Sequence, residues 1–180
     1  PFYGWGVYGD LKNSKMNAVY LGDASLGLGR DYYQKDSPKN TETIEEYKKY
    51  VAQVLTELGY KDAASVAAQI VDFEKKMAKT LLTNEQIRDS NLQYNPKTLP
   101  ELKALVKNID LPKYLANVGV KTDKVIIGEL GYYKNLDTFL TEKNIPLIKD
   151  YIKFNLVSGS AGYLSQKLDD MKFDFYSKYL

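Results

Sequence analysis

Nothing in this 180-residue chain can act as an imidazole or a thiolate, because it contains neither histidine nor cysteine. Zinc centres, thiolate nucleophiles and Ser–His–Asp triads draw on those two side chains. The chemistry left open belongs to carboxylates, lysines, serines and backbone amides. The acidic clusters are Glu45-Glu46, Asp72 with Glu74, and Asp169-Asp170. Glycosidase carboxylates must face each other across a cleft, whereas neighbouring residues on a helix diverge by about 100°. These clusters read as solvated helix faces. No motif supports a Ser–Lys dyad, and no EF-hand spacing occurs.

Two glycine motifs invite ligand readings. Gly4-x-Gly6-x-x-Gly9 spells a dinucleotide fingerprint, but only three residues precede it and the turn-like Asp10-Leu11-Lys12-Asn13-Ser14 follows. A fingerprint needs a strand before it and a helix N-terminus after it, so the nucleotide reading fails. Gly27-Leu28-Gly29-Arg30 presents amides and a guanidinium that suit an anion. A tight connection, with Arg30 paired to Asp31 or Asp36, is the commoner use of such residues. Tyr32-Tyr33, Tyr47, Tyr50, Tyr132-Tyr133 and Tyr163 suit either a peptide-binding wall or packing at the core edge, and packing is favoured.

The elements that must position these residues fall into two stretches. Residues 1–36 hold six of the twelve glycines and show no helical period, with a short strand expected at Met16–Leu21. From residue 37 the pattern is helical. A helix is predicted over 41–58, opened by a Thr43/Glu46 capping box and stopped at Gly59. A second is predicted over 62–82, capped by Asp62, with Val66, Ile70, Phe73, Met77 and Leu81 in one stripe and Glu74 among its polar positions. A Thr98–Glu101 capping box opens a short helix through 107. An extended segment at 124–128 and a helix over 131–142 follow. The next helix begins at Asn144-Ile145-Pro146, with Ile148, Ile152 and Leu156 lining one face. A final segment, 161–179, carries Leu164, Leu168, Met171 and Phe175. The fold class is mainly α: a multi-helix lobe with a small, irregular, β-containing N-terminal segment and no interior domain boundary over 1–180.

The composition is globular, with 44% hydrophobic residues. A formal charge of +2 and only two arginines, Arg30 and Arg88, argue against nucleic acid as a partner. No run approaches the ~20 apolar residues of a membrane span. Phe2, Trp5, Tyr8, Val19, Leu21, Leu26 and Leu28 lie in the segment with the least regular structure to bury them. The last helix reaches Tyr179-Leu180 without a stop signal. An apolar surface awaiting a partner is therefore expected.

The order of several motifs resembles bacterial members of the neprilysin family of zinc metallopeptidases, of the oligopeptidase O type. These are Phe2-x-Gly4-x-Gly6, Asp10 to Ser14, Gly27 to Tyr33, Ile70 to Ala78, Arg88-Asp89, and Leu92-Gln93-Tyr94-Asn95 through Thr98-Leu99. Together they span essentially the whole chain. The resemblance implies part of a helical lobe covering a cavity that admits peptides, with zinc held by an HExxH helix elsewhere in the parent enzyme. No catalytic, substrate-binding or metal residue carries over, and no cofactor is expected in this segment. The segment is expected to be inactive alone and to partner the catalytic remainder of its polypeptide or a second copy. A periplasmic or secreted location is favoured by the resemblance. Glu74 and Arg88, both in matching stretches, are expected to form a structural ion pair. The competing readings are an autonomous helical module that binds peptides or proteins, and a self-sufficient enzyme using carboxylates and lysines.

Overall fold

The computed structural model describes residues 2–180, in two compact units. The chain is mainly helical with one small sheet, as its periodicity indicates.

The first unit comprises residues through Ser25 and Thr80–Glu142. Strands β1 (Gly4–Asp10) and β2 (Asn13–Gly22) form an antiparallel hairpin with Trp5 opposite Leu21 and Val7 opposite Val19. Its turn is held by Asp10, whose carboxylate accepts from the Lys12 amide at 2.9 Å and from the Tyr94 hydroxyl at 2.9 Å. Strand β2 pairs in parallel with β4 (Lys124–Ile127), which pairs antiparallel with β3 (Asn95–Thr98). In β4, Val125, Ile126 and Ile127 are all buried, as suits a strand covered on both faces. Pro96 lies in β3, an edge strand, where a missing amide is tolerated.

Helix α4 (Leu99–Leu105) starts on the expected capping box, with Thr98 Oγ1 accepting from the Glu101 amide and Glu101 accepting from the Thr98 amide at 2.8 Å. Helix α5 (Leu111–Asn117), unforeseen in the sequence, is capped by Asp110, which accepts from the Lys113 amide at 3.0 Å. Helix α6 (Leu130–Phe139) buries Tyr132 and Tyr133 completely. Their hydroxyls donate to the carbonyls of Phe2 at 2.7 Å and Gly22 at 2.6 Å, tying both ends of the hairpin to α6.

The second unit comprises Leu26–Lys79 and Lys143–Leu180. A short helix, α1 (Arg30–Gln34), precedes α2 (Pro38–Glu57). Helix α2 starts three residues before the expected position. Ser37, not Thr43, is its cap, accepting from the Asn40 amide at 3.1 Å, and Pro38 fits the first turn. Thr43 is buried instead. Gly59, at φ +84°, ends α2: its amide bonds the Thr56 carbonyl and the Tyr60 amide bonds that of Leu55.

Helix α3 (Ala63–Ala78) packs on α2, and α7 (Ile145–Gly159) packs on both. The α7 face lined by Ile148, Ile152 and Leu156 is not the core face: Tyr151, Phe154 and Ser158 are buried, whereas Ile152 and Leu156 are exposed. Helix α8 (Gln166–Phe173), capped by Ser165, runs into a wider π-type turn over Asp174–Tyr179. There Phe175 stacks on Tyr50 with ring centroids 5.4 Å apart, while Leu164 stays exposed.

Candidate functional site

The most distinctive chemical group is Glu74, which has no exposed surface. Its place on α3 explains this. It follows Ile70 and Val71 by four and three residues and precedes Met77 by three, so it shares their buried face. Its assignment to a solvated face is therefore corrected. Three uncharged groups donate to its carboxylate: the Tyr33 hydroxyl at 2.6 Å, the Tyr47 hydroxyl at 3.2 Å and the Gly27 amide at 3.3 Å. Its expected partner, Arg88, belongs to the first unit, on Thr80–Glu142. Arg88 is exposed in the 3₁₀ turn Gln86–Arg88.

This carboxylate gathers the 26–29 connection onto the helices. The Leu28 amide donates to the Tyr33 hydroxyl at 3.2 Å, and the Tyr176 hydroxyl donates to the Gly27 carbonyl at 2.8 Å. A Cβ on Gly27 would stand 1.7 Å from the Tyr47 hydroxyl oxygen, so only glycine fits this approach. The amides of Gly27 and Leu28 are thus occupied internally, which corrects the anion-site reading.

Burial raises the Glu74 pKa from 4.5 to about 7, against the opposing pull of its three donors. Tyr33 and Tyr47 are pushed well above the ordinary phenol value, first by burial and then by the Glu74 charge. No arginine or lysine is among the groups that act on Glu74. A buried carboxyl group held by phenols is a structural arrangement. It has no exposed face from which to reach a substrate.

The remaining candidates resolve by position. Asp72 pairs with Lys76 at 2.7 Å, and Glu45 and Glu46 pair with Lys48 and Lys49, all on helix surfaces. Tyr33, Tyr47, Tyr50, Tyr132 and Tyr133 pack in the cores, whereas Tyr163 is 93% exposed. Of the N-terminal apolar residues, Phe2, Val19, Leu21 and Leu28 are buried, while Trp5 and Tyr8 are exposed on the hairpin. No helix among the described residues is long and apolar enough to cross a membrane.

The model of peptidase family M13 matches residues 1–180, the whole chain. The chain belongs to peptidase family M13. Endothelin-converting enzyme 1 of Cavia porcellus is 28% identical to this M13 chain over 179 residues, covering 94% of it and 24% of the relative. The neutral endopeptidase of Lactococcus lactis subsp. cremoris is 25% identical, covering 92% and 27%. The M13 chain thus spans about a quarter of the length of these relatives. Among solved structures, Mycobacterium tuberculosis zinc metalloprotease Zmp1 in complex with an inhibitor superposes with a TM-score of 0.89 at 22% identity, covering the whole chain and 28% of that structure. PepO from Lactobacillus rhamnosis gives 0.85 at 18% identity, covering 97% and 28%. At these identities the likeness establishes the fold.

The donor set does not fit the zinc implied by such relatives. Histidine and cysteine are missing from the sequence, and no three carboxylates converge among the described residues.

Proposed function

We propose that this chain is a non-catalytic segment of a neprilysin-like zinc metalloendopeptidase that cleaves small peptides. Its role would be to form wall and cover of the cavity in which peptides are cut. The observation that carries this reading is the M13 match along the entire chain, in a sequence without a single histidine or cysteine. Zinc and the peptide-bond chemistry it supports would then belong to the remainder of the polypeptide, which would be the principal partner. A periplasmic or secreted location accords with this reading.

The test is direct. Elemental analysis of the pure 180-residue chain should find no stoichiometric zinc, and a peptide library should remain intact with zinc added. One tightly bound zinc per chain, or metal-dependent cleavage, would overturn the proposal.

A further inference from the structure

Helix α7 is apolar on two sides. Successive helical residues turn by about 100°, which places Tyr151, Phe154 and Ser158 on one side and Ile145, Ile148, Ile152 and Leu156 on another, roughly 140° away. The first set is buried. In the second, Ile145 is 44% exposed, Ile152 48% and Leu156 67%, with Ile148 half-buried. Single exposed aliphatic residues are ordinary, but here four share a stripe about 16 Å long at helical spacing. A helix apolar on opposed faces belongs to one that is covered on both. Lys149 and Lys153 stand exposed beside the stripe, Lys153 lying over the Tyr60 ring at 5.6 Å.

We propose that the Ile145–Ile148–Ile152–Leu156 stripe is the docking surface for an amphipathic helix from the rest of the same M13 polypeptide. This rests on the reading of the chain as a segment of a longer peptidase. Two observations select that occupant. The chain covers only 24% and 27% of two of its relatives, so most of the polypeptide that would fold around it lies outside it. The stripe offers on the order of a few hundred Å², against the roughly 1,600 Å² of a standard interface between separate chains. A covalently joined helix needs far less area, because tethering gives it a high effective concentration. The docked helix would present apolar residues at spacings of three and four, with acidic residues toward Lys149 and Lys153.

Because the chain lacks cysteine, Ile152→Cys and Leu156→Cys report the state of the stripe by maleimide labelling. Each is made in the 180-residue chain and in the full-length parent, with rates normalised to the same site in urea and read by peptide mass spectrometry. In the full-length protein, labelling should slow at least about tenfold, as for side chains reached only through transient opening. Hydroxyl-radical footprinting of the unsubstituted proteins should show the same protection at Ile152 and Leu156. Equal rates in both contexts would overturn the proposal. So would protection in the 180-residue chain that grows with its concentration, which would assign the stripe to a second copy. Peptide cleavage by the full-length protein reports separately on the peptidase reading, so an active enzyme with a fast-labelling stripe would refute the docking surface alone.

Discussion

The ionised form of Glu74 loses its water shell on burial and gains only uncharged donors in return, so the folded chain holds its proton up to about pH 7. An unfolded glutamate releases that proton near 4.5. Between those values the native state binds more protons than the unfolded one. Stability is therefore full below about pH 4.5, falls as pH rises toward 7, and levels off above it. The rise corresponds to roughly 3 kcal/mol. Urea unfolding across pH 4.5–8 should show this loss for the wild type. Glu74→Gln, which keeps an acceptor for Tyr33, should remove that component. A stability difference between the two that does not change with pH would refute it. Gly27→Ala should cost about 1–3 kcal/mol by overpacking, measured by the same unfolding, because its methyl group meets the buried Tyr47 ring. The sequence pointed to Glu74 but not to its environment. Its spacing from Ile70 and Met77 already placed it within the apolar stripe, whereas the neighbouring Asp72, Lys75 and Lys76 made it look like part of a charged surface. The partners Tyr33, Tyr47 and Gly27 lie 27 to 47 residues away and carry no local signal.

At the scale of elements, side chains that complete a cap should matter and those that merely occupy the position should not. Ser37→Ala and Thr98→Ala should each cost about 1 kcal/mol. Asp62→Ala should be close to neutral, since Asp62 makes no side-chain cap bond to α3. Thermal unfolding of the three variants decides this, and a loss at Asp62 equal to that at Ser37 would contradict it. Gly59→Ala and Gly119→Ala should each cost about 1 kcal/mol, because both residues sit at positive φ in helix-terminating turns. The long helices were legible because α2, α3 and α7 span enough turns for a 3.6-residue period to show. Helices α1 and α5 have five and seven residues, too few for a period to emerge. Strand β1 was hidden by its glycines and is defined by pairing with β2. The stripe on α7 was legible as one apolar face but not in direction, because two apolar faces on one helix give no sign of which is turned inward.

The whole chain superposes on Mycobacterium tuberculosis Zmp1 with a TM-score of 0.89, in a sequence that has neither histidine nor cysteine. Family membership and the absence of local chemistry together support the proposal that the segment encloses a reaction performed elsewhere in its polypeptide. The family was legible because motifs such as Gly27 to Tyr33 and Ile70 to Ala78 build one hub: Gly27 and Leu28 bond Glu74 and Tyr33. The division into two units was not legible, since each unit is assembled from chain segments distant in sequence. Reconstitution decides whether the segment encloses a reaction performed elsewhere in its polypeptide. The 180-residue chain and the remainder of its parent polypeptide are prepared separately and assayed with zinc, alone and together, against short peptides and folded proteins. The 180-residue chain alone should be inert, and the combined parts should cleave short peptides while sparing folded proteins. Hydrolysis by the 180-residue chain alone, or equal cleavage of both substrate classes by the combined parts, would contradict it.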